Sequence, residues 1–83
     1  MKLLYFAWVR QKIGRGEEAV DAPASVRTAG DLAQWLAARG EGYAEALSDQ
    51  RRIRVAINQE HATFSAPVEA SDEVAFFPPV TGG

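Results

Sequence analysis

The stretch TAGDLAQWLAARG, residues 28–40, decides the fold class because its apolar side chains recur at helical spacing. Leu32, Trp35 and Leu36 fall on one stripe, and the aliphatic stem of Arg39 extends it. A helix with one apolar stripe must pack that stripe against another element. We therefore expect one amphipathic helix that covers one face of a sheet.

Both ends of this helix carry capping residues. Thr28 is placed to cap the first turn, and Asp31 three residues later makes a short version of the capping box. Gly40 suits the position after the last turn. The next segment, GYAEALSD at residues 42–49, is long enough for only one or two further helical turns.

Two strands are predicted before the helix. The first, residues 2–9, is rich in aromatic and branched residues and is bounded by the turn-prone QKIGRG at residues 11–16. The second, residues 17–22, ends at Pro23, which cannot donate to a strand ladder. A hairpin connection between them makes the pair antiparallel.

Two or three short strands are predicted after the helix. RIRVAIN, residues 52–58, alternates Ile53, Val55 and Ile57 on one face with Arg52, Arg54 and Ala56 on the other. A short strand at residues 61–64 and a last strand at residues 74–77 follow.

This order of elements predicts a small α+β domain, with one main helix on one face of a mixed sheet of four or five strands. The β-grasp arrangement of ubiquitin-like proteins is the first choice. A ferredoxin-like domain is the alternative, and it requires a second full-length helix. Residues 1–77 should form the domain, and residues 78–83 an extended, flexible tail.

Composition narrows the possible partners. The chain has 83 residues and a net charge of −2, so no overall basic field attracts nucleic acid.

The chain has no cysteine, so no cysteine nucleophile is expected. Its single histidine, His61, has no second ligand nearby in sequence, so no metal site is expected. No run approaches the roughly 20 apolar residues of a membrane helix, so we expect a cytoplasmic protein without a membrane partner.

The first and last strands carry more apolar surface than one helix can cover. In residues 2–9 both faces are apolar, and Phe6 and Trp8 share the face turned away from the helix. With Phe77 they are expected to form a docking surface for another protein, since aromatic anchors are favoured at interfaces. The alternative is that short loops cover this face, or that isolated apolar residues simply lie on the surface. RRIR, residues 51–54, is a basic patch on a solvated strand face that could also attract an acidic partner or an anionic substrate.

The segment after the last strand is expected to extend away from the domain. Pro78 and Pro79 favour a stiff, extended path, and the six residues from Pro78 can reach roughly 20 Å. Gly82 and Gly83 have no side chains, so their backbone can pass through a narrow channel. The α-carboxylate of Gly83 is ionised at neutral pH and is a poor electrophile. It would need activation, and we expect this to come from ATP through an acyl-adenylate.

The motif DEVAFFPPVTGG, residues 72–83, resembles the C-terminal signature of the small subunit of molybdopterin synthase, a family of ubiquitin-like sulfur carriers. LLYFAWVRQKIG, residues 3–14, and VAINQE, residues 55–60, are also similar to that family. One departure is Ser71, which stands where the family often has glycine before the last strand.

The resemblance implies a carrier with no catalytic site of its own. An E1-like activating enzyme would use ATP to adenylate Gly83, and a sulfur donor would convert the adenylate to a thiocarboxylate. The tail would then enter the large subunit of the synthase, where the sulfur passes to cyclic pyranopterin monophosphate. This chain would bind no cofactor itself, and two small and two large subunits would form a heterotetramer.

The resemblance also implies a set of site residues. Gly83 would carry the thiocarboxylate, Gly82 would be the other half of the threading pair, and Val80 and Thr81 would line the channel. Contacts with the large subunit are expected at Phe6, Arg10, Phe76 and Phe77. Trp8 is added to them because it belongs to the predicted apolar face. The alternatives are a sulfur carrier for thiamine or transfer-RNA thiolation, a ubiquitin-like modifier joined to lysines through Gly83, and a plain interaction module with an inert tail.

Overall fold

The structure is a computed structural model that describes residues 1–79. In this part of the chain, five strands form one sheet: β1 (Lys2–Tyr5), β2 (Glu17–Ala19), β3 (Arg54–Ile57), β4 (Glu60–Ala62) and β5 (Glu73–Phe77). Three α-helices and one 3-10 turn accompany them: α1 (Ala7–Ile13), α2 (Ala29–Ala37), α3 (Glu41–Leu47) and the turn Gln50–Arg52.

The sheet is mixed, as predicted. Its strand order is β2-β1-β5-β3-β4, with β1 and β5 parallel at the centre and the other neighbours antiparallel. The predicted antiparallel pairing of the first two strands is therefore confirmed. No helix within residues 1–79 is long and apolar enough to cross a membrane.

The core lies between one face of the sheet and the helices. Alternate strand residues point into it, because successive side chains of a strand project to opposite faces. The helices contribute the apolar stripe of α2 and residues from α1 and α3. The largest fully buried side chains are those of Tyr5, Phe76, Leu3, Leu32, Leu36, Leu47, Ile53, Val9, Val55 and Val74.

The predicted start of the main helix is confirmed in its capping geometry. The Thr28 hydroxyl accepts a hydrogen bond from the backbone N–H of Asp31 at 3.1 Å, and the Asp31 carboxylate accepts one from the N–H of Thr28 at 3.2 Å. The helix ends at Ala37, and Gly40 is the residue before α3. The short helix predicted within residues 42–49 is also present, as α3.

The predicted strand over residues 2–9 is wrong beyond Tyr5. Phe6 is extended, Ala7 adopts a left-handed backbone with φ of 53°, and α1 begins there. Ala7 turns the chain across the end of the sheet, so that Val9 enters the core. The spacing of four from Tyr5 to Val9 and from Val9 to Ile13 is the helical signal within this β-prone run.

Other boundaries also differ from the prediction. β2 ends at Ala19 and β3 begins at Arg54, with residues 50–52 in the 3-10 turn. A two-residue turn at Asn58 and Gln59, both with positive φ, joins β3 to β4. Strand ends such as these depend on hydrogen bonds to neighbouring strands, which local sequence does not reveal.

Candidate docking face and tail exit

One face of the sheet is uncovered by helices and carries apolar side chains. Leu4 of β1, Ala75 of β5 and Ala56 of β3 lie side by side in the register of the central strands. They line a groove of about 380 Å³, and this surface is called the open face below. The residues of the open face are Leu4, Phe6, Ala56, Gln59, His61, Glu73, Ala75 and Phe77. A contiguous apolar surface of this kind is a candidate interaction site.

Two aromatic side chains lie at one end of the open face. Phe6 is 49% exposed, which makes it the exposed large hydrophobic residue of the described chain. Phe77, the last residue of β5, contacts the ring of His61 edge to face, with 5.4 Å between ring centroids. Phe6 is thus exposed as the predicted docking role requires, whereas Phe77 is half-buried and lines the groove of the open face. Contact of either residue with a partner stays a prediction.

Phe76 was predicted to contact a partner, and the structure contradicts this. Its side chain is fully buried and stacks on Tyr5, with 6.3 Å between ring centroids. The two-residue period of a strand puts Phe76 on the same side as Val74, which faces the helices. Of the two adjacent phenylalanines, only Phe77 is available to a partner.

Trp8 was predicted to share a face with Leu4 and Phe6, and this is also wrong. Because α1 replaces the predicted strand, Trp8 packs against the edge of the core and is half-buried. Its ring instead supports the guanidinium of Arg52, whose Cζ lies 5.1 Å from the ring centroid. Trp8 therefore belongs to the helical side of the molecule.

Arg10 is exposed on α1, as a partner-binding residue must be, but it lies outside the open face. Its side chain extends along Gly16, where an added Cβ would be 3.2 Å from the Arg10 Nε. A role for Arg10 in partner binding stays a prediction.

The chain leaves the sheet beside the aromatic end of the open face. β5 runs parallel to β1, so Phe77 and Phe6 lie at the same end of the central strands, and Pro78 and Pro79 follow without joining a strand. This place is called the tail exit below. The residues with the predicted carrier and threading roles, Val80, Thr81, Gly82 and Gly83, lie outside the described residues.

Two arginines flank the tail exit on the side of β3. Arg54 is the cross-strand partner of Phe77. Arg52 precedes β3 and reaches Trp8 at the start of α1. The basic patch predicted from RRIR therefore lies next to the point where the chain leaves the sheet.

A buried carboxylate on the helical side ties the sheet to α3. Glu18 of β2 accepts hydrogen bonds from the hydroxyls of Tyr5 at 2.8 Å and Tyr43 at 2.6 Å, and its other oxygen lies 3.2 Å from the Arg39 guanidinium. Burial alone would raise the pKa of Glu18, but these hydrogen bonds and the charge of Arg39 outweigh it and lower the pKa. Burial and the bond to Glu18 raise the pKa of Tyr5.

This cluster has a structural role. Its carboxylate neutralises Arg39 and satisfies both tyrosine hydroxyls, which leaves its charges and donors paired within the fold. It also lies on the face of the sheet opposite the open face, because Glu18 pairs with the inward-facing Leu3. The sequence did not predict it, since its members come from three separate segments of the chain: Tyr5, Glu18, and the pair Arg39 and Tyr43.

The sheet order and the helices on a single face define the class of this protein, a β-grasp domain of the ubiquitin-like type. The model of the ThiS family matches residues 3–83, and the chain belongs to that family.

Similar proteins agree with this assignment. The chain is 42% identical over 83 residues to the molybdopterin synthase sulfur carrier subunit of Escherichia coli (strain K12), covering 100% of this chain and 99% of the relative. The crystal structure of SAMP1 from Haloferax volcanii superposes with a TM-score of 0.77 at 28% identity, covering 100% of this chain and 98% of that one.

A third comparison supports the fold. A chain from the complex of subunits 1 and 2 of molybdopterin-converting factor from Helicobacter pylori 26695 has a TM-score of 0.64 at 20% identity. The superposition covers 99% of this chain and 96% of the Helicobacter pylori chain. The predicted β-grasp fold is thereby confirmed, and the ferredoxin-like alternative is not.

Proposed function

We propose that this chain is the sulfur-carrier subunit of a molybdopterin synthase. Gly83 is adenylated by an E1-like enzyme with release of pyrophosphate from ATP, and sulfur from a donor then displaces AMP to give a thiocarboxylate. The large subunit then receives the tail, and the sulfur passes to cyclic pyranopterin monophosphate. The observation that carries the proposal is the 42% identity, over the whole length of both chains, to a relative of that name.

The open face supplies the surface that such a carrier needs. Phe6 is exposed beside the tail exit, and Phe77 is the last sheet residue before the projecting segment. A partner that covers the open face would thus receive the tail at the same time. We assign Phe6 and Phe77 as aromatic anchors for the large subunit, in agreement with the preference of interfaces for such residues.

The described side chains favour a carrier over an enzyme. Glu18 and Tyr5, whose pKa values are shifted, face the helices and are engaged in structural hydrogen bonds. The chemistry is instead assigned to Gly83, where ATP supplies the activation through the partner enzyme. We further propose a heterotetramer of two small and two large subunits.

Sulfur carriers for thiamine or transfer-RNA thiolation, and modifiers joined to lysines, share the terminal chemistry of this proposal. They differ in the acceptor of the sulfur or of the acyl group. A plain interaction module differs in having a tail without chemistry. The acceptor must therefore be tested separately from the activation of Gly83.

The test has two stages. The chain is incubated with the activating enzyme of the source cell, ATP and a sulfur donor, and its intact mass is measured for replacement of one terminal oxygen by sulfur. The thiocarboxylated chain is then mixed with the large subunit and cyclic pyranopterin monophosphate, and molybdopterin is measured. A variant that lacks Gly83 is the control.

Each stage separates two possibilities. Absence of the sulfur-containing mass would refute the carrier role. A thiocarboxylate that forms but yields no molybdopterin would refute the choice of acceptor and favour one of the other sulfur carriers. Full synthase activity in the variant that lacks Gly83 would favour the module with an inert tail.

A further inference from the structure

Two arginines at the tail exit carry charge that the fold leaves unneutralised. Arg52 and Arg54 are exposed, and within residues 1–79 no carboxylate forms an ion pair with either of them. Most other basic side chains of the described chain are paired with a carboxylate: Lys2 with Glu17, Lys12 with Glu45, Arg15 and Arg39 with Glu18, and Arg51 with Asp49.

Both guanidinium groups are nevertheless held in place. Arg52 lies over the ring of Trp8, at 5.1 Å from the centroid. Arg54 donates from Nη1 to the backbone carbonyl oxygen of Ile53 at 2.9 Å and to that of Arg51 at 3.4 Å. These contacts restrict the side chains and leave their positive charge available to a partner. The pair is called the arginine rim below.

The position of the arginine rim links it to the open face. Arg54 is directly across the sheet from Phe77, and Trp8 follows Phe6 by two residues at the start of α1. A surface that covers Phe6 and Phe77 would therefore also approach Arg52 and Arg54. The rim is a local positive patch on a chain whose net charge is −2.

We propose that the arginine rim docks against aspartate or glutamate side chains on the surface of the large subunit, beside the channel that receives residues 80–83. The inference rests on the proposed function, because that function supplies the partner. Fixed positive charge beside the tail exit would steer the arginine rim toward these carboxylates, orient the domain with its tail exit toward the channel, and accelerate association. The open face would then supply the apolar contacts that hold the complex.

The test compares variants of equal net charge. Arg52→Gln/Arg54→Gln removes the charge of the rim, and Arg27→Glu makes the same change in net charge outside the rim. Arg27 is exposed in the segment before α2, and its carbonyl oxygen accepts the N–H of Val68. Arg52→Lys/Arg54→Lys keeps the charge at the rim. Association with the purified large subunit is measured by stopped-flow fluorescence across a range of salt concentrations.

The rim variant should associate about ten-fold more slowly at low ionic strength, and the difference should shrink as salt screens the charges. Its dissociation rate should change less. Arg27→Glu should alter association by less than about two-fold, and the lysine variant should stay close to wild type. Thermal unfolding of each free variant establishes that the fold is retained.

Three results would overturn the proposal. In the first, Arg27→Glu slows association as much as the rim variant does, which would mean that only net charge matters. In the second, the rim variant associates at the wild-type rate. In the third, the free chain binds ATP saturably and the rim variant does not, which would assign the rim to phosphate groups. Failure of the wild-type chain to bind the large subunit would instead refute the proposed function itself.

Discussion

The backbone N–H of Phe6 donates to the carbonyl oxygen of Phe76 at 3.2 Å, yet the two side chains lie on opposite sides of the sheet. Phe76 is fully buried against Tyr5, whereas Phe6 is 49% exposed on the open face. One hydrogen bond between parallel strands thus fixes the position of an interface aromatic relative to a core aromatic. The folding role and the docking role of the two residues can be separated by mutation.

Phe6→Ala is expected to weaken binding of the large subunit. It should cost the free chain little stability, because about half of the Phe6 surface is already exposed to solvent. Phe76→Ala should lower the free energy of unfolding by about 3–5 kcal/mol, the usual cost of removing a buried phenylalanine. Urea unfolding of the free chain and calorimetric titration of the large subunit measure the two effects. Equal destabilisation by both substitutions would contradict the assignment of Phe6 to the open face.

Ala7 is expected to tolerate glycine and to reject branched residues. Its φ of 53° lies in the left-handed region, which costs residues with a Cβ about 1–2 kcal/mol. Ala7→Gly should therefore leave the free energy of unfolding unchanged or raise it by up to about 1 kcal/mol. Ala7→Val should lower it, since a β-branched side chain fits this conformation poorly. If glycine destabilised more than valine, the left-handed turn after Phe6 would be incorrect.

The sequence predicted those features that depend on local pattern. Thr28 and Asp31 define the start of α2 through a contact three residues apart, so the capping box could be identified directly. The alternation around β3 likewise predicted that Ile53 and Val55 enter the core, whereas Ile57 on the same face is only partly buried against it. The outward position of Phe77 followed from the same two-residue period in β5.

The features that the sequence did not predict depend on long-range contacts. The run from Tyr5 to Val9 has strong β propensity, and only the packing of α1 against α3 and β5 makes helix the better conformation after Phe6. Trp8 was misplaced for that reason, and its contact with Arg52 joins residues 44 positions apart, too far for a sequence pattern to show. Tertiary packing here overrides local propensity.

Gly42→Ala is expected to destabilise the fold although alanine favours helices. A Cβ atom at Gly42 would overlap the backbone carbonyl oxygen of Lys12, because α3 packs closely against the end of α1. We expect a loss of about 1–3 kcal/mol in the free energy of unfolding, as for other overpacked sites. Gly40→Ala is the matched control, since its Cβ would have only an ordinary contact with Tyr43 at 3.9 Å. A stabilised Gly42→Ala variant would argue against this close approach.

Glu18→Gln should destabilise the chain at neutral pH and flatten its response to pH. The pKa of Glu18 is lower in the folded chain than its ordinary 4.5, so the stability it contributes is present above that value and is lost as pH falls through the folded pKa. The pKa of Tyr5 is raised above its ordinary 10, so its contribution is lost as pH rises beyond 10. Because Glu18 accepts both tyrosine hydrogen bonds, the substitution should cost about 1.5–3 kcal/mol near pH 7.

Glu17→Gln is the control for this experiment, because Glu17 is the neighbouring carboxylate on the other face of β2. Its side chain is 67% exposed, and its ion pair with Lys2 spans 3.6 Å, so the substitution should change stability by at most about 1 kcal/mol. Urea unfolding from acid to alkaline pH compares both variants with the wild-type chain. If Glu18→Gln kept the full wild-type loss of stability in acid, another carboxylate would have to cause it. The network of Tyr5, Tyr43 and Arg39 would then fail as the explanation.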